Sequence, residues 1–262
     1  MTEKAQRLRA LHVGGDPLVL ANAWDAASAR MVEAAGFAAV ATTSNAIAAT
    51  LGYEDGEATP VEEMSAACGR MVRAVGLPVT IDFERGYGLA PAAIVEAIAA
   101  TGAVGLNLED SDPPSGEMIE VGEQAEFIAA VRAAAEAAAV DLVINARTDS
   151  FLRRAGSPQE QLAASIERGE RYLAAGADCV YPIAATEPDA IRALVGGIPG
   201  PVNVVYGRGA LTSAELGDIG VARVSFGPAL QRFVYGRFGE ALSALAGDAN
   251  PFASPATAAA EA

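Results

Sequence analysis

Eight short apolar runs recur along the chain, each followed by a longer helix-compatible stretch, and that alternation restricts the fold more than any other feature. The runs lie at 18–21, 38–42, 79–83, 104–108, 142–145, 179–181, 202–205 and 223–225. Ala-rich stretches follow near 26–35, 61–75, 91–101, 123–139, 158–175, 187–195, 212–217 and 228–245. Strand then helix, repeated, predicts a parallel sheet with helices packed outside it. Eight repeats predict an α/β fold closed into a (β/α)8 TIM barrel rather than an open doubly wound sheet. Gly36, Gly76, Gly102 and Gly176 follow helical stretches, where a left-handed C-cap would reverse the chain. No Ser/Gly linker divides the sequence, so 1–247 reads as one barrel domain and the small-residue, Pro-containing 248–262 as a frayed tail. Residues 44–60 and 110–121 read as irregular segments, either of which could form a lid over the barrel mouth.

Composition sets the functional bounds. The chain has 262 residues, 52% hydrophobic and 19% charged, with a net charge of −15. That charge repels phosphate backbones and anionic lipid, so neither nucleic acid nor a membrane is expected as a partner. A small anionic substrate remains compatible, because one Arg and a divalent cation invert the sign locally. Cys68 and Cys179 lie far apart and outside any CxxC or Cys/His cluster. A disulfide framework and a structural zinc are therefore not expected, and a cytoplasmic location is. The polar N-terminus lacks a signal-peptide core, and no apolar run is long enough to span a bilayer.

Acidic residues cluster where the apolar runs end: Asp82 and Glu84 after the third, Glu109 after the fourth. Two residues apart on an extended strand, Asp82 and Glu84 would point to one side. In a barrel that side can be the lumen, and its C-terminal end is the active-site mouth. Three carboxylates converging there would repel one another unless a hard cation sat among them, and oxygen-only donors suit Mg²⁺, or Mn²⁺, better than zinc. The alternative is pairing with Arg85, Arg147 or surface lysines. Arg147 ends the fifth run and could grip a carboxylate or phosphonate with two N–H groups, or simply pair with Asp149 or Glu109. Gly86-Tyr87-Gly88 and Tyr206-Gly207-Arg208-Gly209 read as turns, not phosphate loops. Asp25 reads as a helix N-cap, Trp24 as packing, and His12, the single histidine, as a surface residue.

Six phrases, in order, resemble the isocitrate lyase / phosphoenolpyruvate mutase superfamily over most of 15–245. They are Asn22 to Arg30, Thr43-Ser44-Asn45-Ala46 with Leu51 to Gly56, Asp82-Phe83-Glu84-Arg85-Gly86-Tyr87-Gly88, Gly105 to Asp110, Asn145 to Asp149, and Pro201-Val202-Asn203-Val204. The resemblance implies a Mg²⁺-dependent barrel enzyme that handles 2-oxo acids through an enolate stabilised by the metal and an oxyanion hole. By position it implies Asp82 as direct metal ligand and Asp55, Glu84 and Glu109 as ligands through water. It implies Ser44, Asn45 and Ala46 around the substrate carboxylate, Arg147 gripping the substrate, and Asn203, taken as ending strand seven, on the substrate side. Arg147, Asp55 and Glu109 are the catalytic candidates. It further implies a homo-oligomer, a tetramer, with the last helix exchanged between neighbours.

Two departures narrow the reading. The second acid of the metal phrase is Glu84 where the family usually has Asp. The loop after the fourth strand, Ser111 to Glu120, has no Cys and no His, although isocitrate and methylisocitrate lyases carry their acid–base Cys there. Cys68, read in a helix, and Cys179, at a strand start opposite the mouth, cannot replace it. The expectation is C–C cleavage of a small 2-oxo or 2-hydroxy carboxylic acid, by retro-aldol chemistry or by decarboxylation, which needs no Cys acid. The alternatives are a C–P bond enzyme of the phosphonopyruvate hydrolase or phosphoenolpyruvate mutase type, and a non-catalytic 2-oxo acid binding protein.

Overall fold

The structure, a computed structural model, describes residues 2–154, 156–207 and 211–252. In chain order the elements are α1 (Thr2–Ala10), β1 (Leu18–Leu20), β2 (Asn22–Ala23), α2 (Ala26–Ala34), β3 (Val40–Thr42), α3 (Ser44–Leu51), α4 (Val61–Ala74), β4 (Val79–Asp82), α5 (Pro91–Thr101) and β5 (Gly105–Leu108). Then follow α6 (Val121–Ala137), β6 (Val143–Thr148), α7 (Pro158–Ala174), β7 (Cys179–Pro182), α8 (Pro188–Gly197), β8 (Asn203–Val205), α9 (Ser213–Ile219), β9 (Arg223–Ser225) and α10 (Ala229–Ala246). Every strand pairs in parallel. β2 to β7 run in sequence order, β8 pairs with β9, and β9 with β1. A parallel bridge between Val180 and Val202 joins β7 to β8. β1 and β2, separated only by Ala21, are two halves of one strand, so the ring closes as an eight-strand barrel.

Strand alternation sorts side chains between the helix layer and the lumen. Ile81, Leu106 and Ile144 belong to one buried cluster under the helices, and Val180, Val204 and Val224 to another. The residues between them in register are polar: Asp82 stands across from Asn107, Asn107 from Asn145, and Asn203 from Arg223. The foot of the lumen is apolar, where Ala5 and Leu8 of α1 pack on Leu18, Leu20, Ala41 and Val143. This plug depends on Gly105: a Cβ there would come within 2.9 Å of Thr80 Oγ1 and 3.0 Å of Leu8 Cδ2. Arg9 pins α1 from outside, bonding Asp178 at 2.7 Å and Asp141 at 2.8 Å.

Several expectations need correction. Residues 44–51, read as irregular, are helix α3, which runs on until Gly52 stops it at φ +89°. Helix α1 was not expected; its signal is Ala5 and Leu8 at helical spacing in a charged segment. Gly36, Gly102 and Gly176 are left-handed as expected, but Gly76 is not. There α4 ends in extended Val75, and the Gly76 N–H instead donates to Glu33 Oε1 at 2.7 Å. His12 is buried, not a surface residue. Its ring Nδ1–H donates to Leu8 O at 2.8 Å, and burial, with the Arg223 charge nearby, lowers its pKa to about 4. Asp25 does cap α2, in a reciprocal pair with Ser28, and Trp24 packs edge-on against Tyr235. Of the expected tail, 253–262 lie outside the described residues, as do Arg208 and Gly209 of the second glycine turn.

Candidate active site

A cavity of about 220 Å³ opens at the C-terminal ends of the strands. One side is built by the start of α3. Ser44 N–H and Oγ both donate to Asp82 Oδ2, at 3.0 and 2.9 Å, and Asn45 Nδ2 donates to Asp55 Oδ2 at 3.1 Å. Ser44 Oγ also lies 3.4 Å from Asp55 Oδ1, so one hydroxyl bridges the two acids. The first N–H groups of a helix have no intrahelical acceptors and carry the positive end of its dipole. This corner therefore offers a carboxylate both hydrogen-bond donors and a fixed positive field. Ser44, Asn45, Asp55, Asp82 and Arg147 all line the cavity. Ala46 is buried behind them, its carbonyl accepting from Gln231. Asn203 is a correction in place: it begins β8 rather than ending it, and is buried with its Oδ1 accepting from Ser225 Oγ at 3.3 Å.

The three acids expected to converge, Asp82, Glu84 and Glu109, influence one another's charge but form no direct cage among the described residues. The strand ends at Asp82, and Glu84 has φ +48°, which breaks the alternation and turns its carboxylate aside. There it accepts from Tyr87 Oη at 2.6 Å and from Glu57 N–H at 2.8 Å. Burial, reinforced by Asp82 and Asp55, raises the Glu84 pKa to about 7. Glu109 is taken by Arg147 Nη1, and the rest of that guanidinium grips Asp149 through Nε at 2.7 Å and Nη2 at 3.2 Å. Burial holds the Glu109 carboxyl well above the usual range, with Arg147 opposing that shift. The pairing read for Arg147 is present, with both acids at once, and Arg147 also lines the cavity. Asp149 also accepts from Ser111 Oγ at 2.8 Å, and Asp110 from Arg168 at 2.9 Å and Tyr172 at 2.8 Å, which fastens the loop after β5 to β6 and α7.

Among the described residues no three acid, His or Cys groups stand together as a direct metal cage. The donor chemistry nonetheless fits a hydrated hard cation. Asp82 Oδ1 faces only the Asn107 amide, at 3.3 Å. Around it stand the acids Asp55, Glu84 and Glu109, whose charges act on one another or on Asp82. No thiol competes for the acid–base role, because burial pushes both Cys68 and Cys179 up to about 12.

Sequence reasoning missed five strand residues that line the cavity, Asn22, Asn107, Tyr181, Arg223 and Ser225, and Arg232 of α10 beside them. The signal of the strand residues, polar positions in phase with Asp82, is readable only once the strand register is known. A larger groove, about 680 Å³, lies between α4 and α5. It sits on the helix layer, away from the strand ends where a parallel barrel gathers its chemistry.

A closed parallel barrel with acids and helix N–H groups at its mouth has the build of an α/β-barrel enzyme. Residues 8–246 match the phosphoenolpyruvate phosphomutase family, and the chain belongs to that family. A Mycobacterium tuberculosis protein of uncharacterised function is 36% identical over 217 residues, covering 83% of this chain and 80% of that one. The 2-methylisocitrate lyase of Bacillus subtilis is 30% identical over 209 residues, covering 76% and 66%. The crystal structure of a candidate phosphonomutase from Burkholderia cenocepacia is 46% identical, with a TM-score of 0.85 over 93% of this chain and 99% of that one. The protein is thus an enzyme of a superfamily of lyases and mutases.

Proposed function

We propose that this enzyme is a Mg²⁺-dependent lyase that cleaves a C–C bond in a small 2-oxo or 2-hydroxy carboxylic acid through an enolate. The observation that carries the reading is the joining of Asp82 and Asp55 to Ser44 at the start of α3, inside a cavity at the strand ends. A divalent cation held by Asp82, with Asp55, Glu84 and Glu109 acting through water, would place positive charge beside the developing enolate oxygen. The chain's own groups do the rest. The opening turn of α3 orients the substrate carboxylate, and Arg147, locked by Glu109 and Asp149, supports the opposite wall. In decarboxylation of an oxaloacetate-like acid, the bond to the departing carboxyl breaks and its electron pair becomes the enolate. Carbon dioxide leaves, and the enolate takes a proton to give pyruvate. This needs no acid on the loop after β5, which fits the absence of Cys and His from 111–120.

The similarity to a candidate phosphonomutase supports a second reading, C–P chemistry on phosphonopyruvate or phosphoenolpyruvate. A Mg²⁺-dependent assay separates the two. Pyruvate or glyoxylate released from oxaloacetate, 2-methylisocitrate, isocitrate or dimethylmalate supports the C–C reading. Phosphate released from phosphonopyruvate, or its interconversion with phosphoenolpyruvate, replaces it. The expectations of a cytoplasmic location and a tetramer belong to the same proposal. Two buried free thiols are compatible with the first. The apolar face that α10 exposes, with Phe233, Phe238 and Leu245 each more than half exposed, supports the second.

A further inference from the structure

Among the described residues Arg223 is the one buried side chain with two polar atoms left without a partner. It lines the floor of the cavity yet is only 1% exposed. Its single hydrogen bond, Nη2 to Asn107 Oδ1, is long at 3.4 Å, and Nε and Nη1 have no partner. It makes no ion pair among the described residues, whereas Arg147 is paired twice. Beside it in register, Asn203 Nδ2 is a second buried donor without an acceptor. The unmatched donors outnumber the unmatched acceptor nearby, Asn145 Oδ1. A buried cation with no ion pair, only the more distant charge of Asp82 acting on it, is a costly arrangement for a core, and such arrangements persist where function uses them.

The geometry points to Arg223 as the residue that binds a second carboxylate of the substrate, making the site selective for dicarboxylates over monocarboxylates. This rests on the proposed function, which puts the first carboxylate and the adjoining oxygen at the Ser44–Asp82 corner. Arg147 is already neutralised by Glu109 and Asp149, so Arg223 is the buried guanidinium in the cavity with hydrogen-bonding capacity to spare. A guanidinium accepts a carboxylate through two parallel N–H groups, and Arg223 Nε and Nη1 are the unmatched donors.

The matched pair for the test is malate and lactate, which differ by that carboxylate alone. Each enantiomer is titrated calorimetrically, with Mg²⁺, into wild type, Arg223→Lys and Arg223→Met. The inference expects malate to bind wild type more tightly than lactate. Arg223→Met should weaken malate roughly thirtyfold to a thousandfold and leave lactate within about twofold. Arg223→Lys should recover part of the loss. A structural role would instead weaken both ligands alike and lower the melting temperature; the inference predicts that unliganded Arg223→Met melts no lower than wild type. Unchanged malate binding in a folded variant, or equal losses for both acids, overturns the inference alone. Wild type that binds neither acid also overturns the inference, while the enolate reading stands or falls by the turnover assay.

Discussion

At the scale of single residues, the site is defined by which charges are matched. Asp82, Asp55 and Ser44 form a donor–acceptor corner, and Arg147 is neutralised on both sides. The sequence made Asp82 and Arg147 visible because they stand at the ends of apolar runs, and Asp55 only through the family resemblance. It did not reveal that Glu84 turns away, because that depends on a positive φ at a residue other than glycine. Arg223 and Asn107 were hidden because period-two phase can be read only once the strand register is known. His12 gives a test at this scale. Its folded pKa of about 4 lies below the ordinary 6.5, so the unfolded chain binds the extra proton between those values. Its stabilisation is therefore complete above pH 6.5 and is lost as pH falls toward 4. By pH 4 the loss reaches about 3 kcal/mol. His12→Gln should unfold in urea with a correspondingly smaller drop in stability between pH 7 and 4.5 than wild type. Equal drops would show that His12 is not held neutral.

At the scale of elements, the barrel was legible because apolar runs and helix stretches alternate eight times, and all eight strands fall where the runs do. The two missed helices share a cause. α1 and α3 lie outside the repeating pattern, yet each has one decisive tertiary contact. Leu8 of α1 fits over Gly105, and the first turn of α3 is fixed by Asp82. Gly105→Ala would push Leu8 out of the foot of the lumen, so it should cost about 1–3 kcal/mol. Truncating Leu8 to Ala in the same chain should return part of that cost. A double-mutant cycle read by chemical denaturation checks this, and strict additivity would contradict the contact. Asp110 makes a second test. Asp110→Asn leaves part-buried Arg168 without its counter-charge and should destabilise by roughly 3 kcal/mol, seen as a lower urea midpoint; an unchanged midpoint would show that the loop after β5 is held by other contacts.

At the scale of the whole molecule, the barrel separates stability from chemistry. α1, Leu20 and Val143 fill its foot, whereas acids, amides and guanidinium groups collect at its mouth. The net charge of −15 gave no hint of a site for anions, because the cationic groups that matter are buried or paired. Outside the barrel, α10 buries only Gln231 among its residues and exposes Phe233, Phe238, Leu242 and Leu245. Contiguous apolar surface of this kind mostly marks an interface. Light scattering coupled to gel filtration should find an assembly of several chains, and Phe233→Glu with Phe238→Glu should reduce it to smaller species. A monomeric wild type would remove the proposed tetramer.

The central claim is that the Asp82 corner supports metal-dependent cleavage of a small carboxylic acid, and its most direct test is product release from oxaloacetate and its relatives with and without Mg²⁺, in wild type and Asp82→Ala. The account predicts turnover that EDTA abolishes and Mg²⁺ restores, and at least a hundredfold loss, about 2.7 kcal/mol of transition-state stabilisation, in Asp82→Ala. Full activity in EDTA, or an Asp82→Ala enzyme as active as wild type with Mg²⁺, would contradict it.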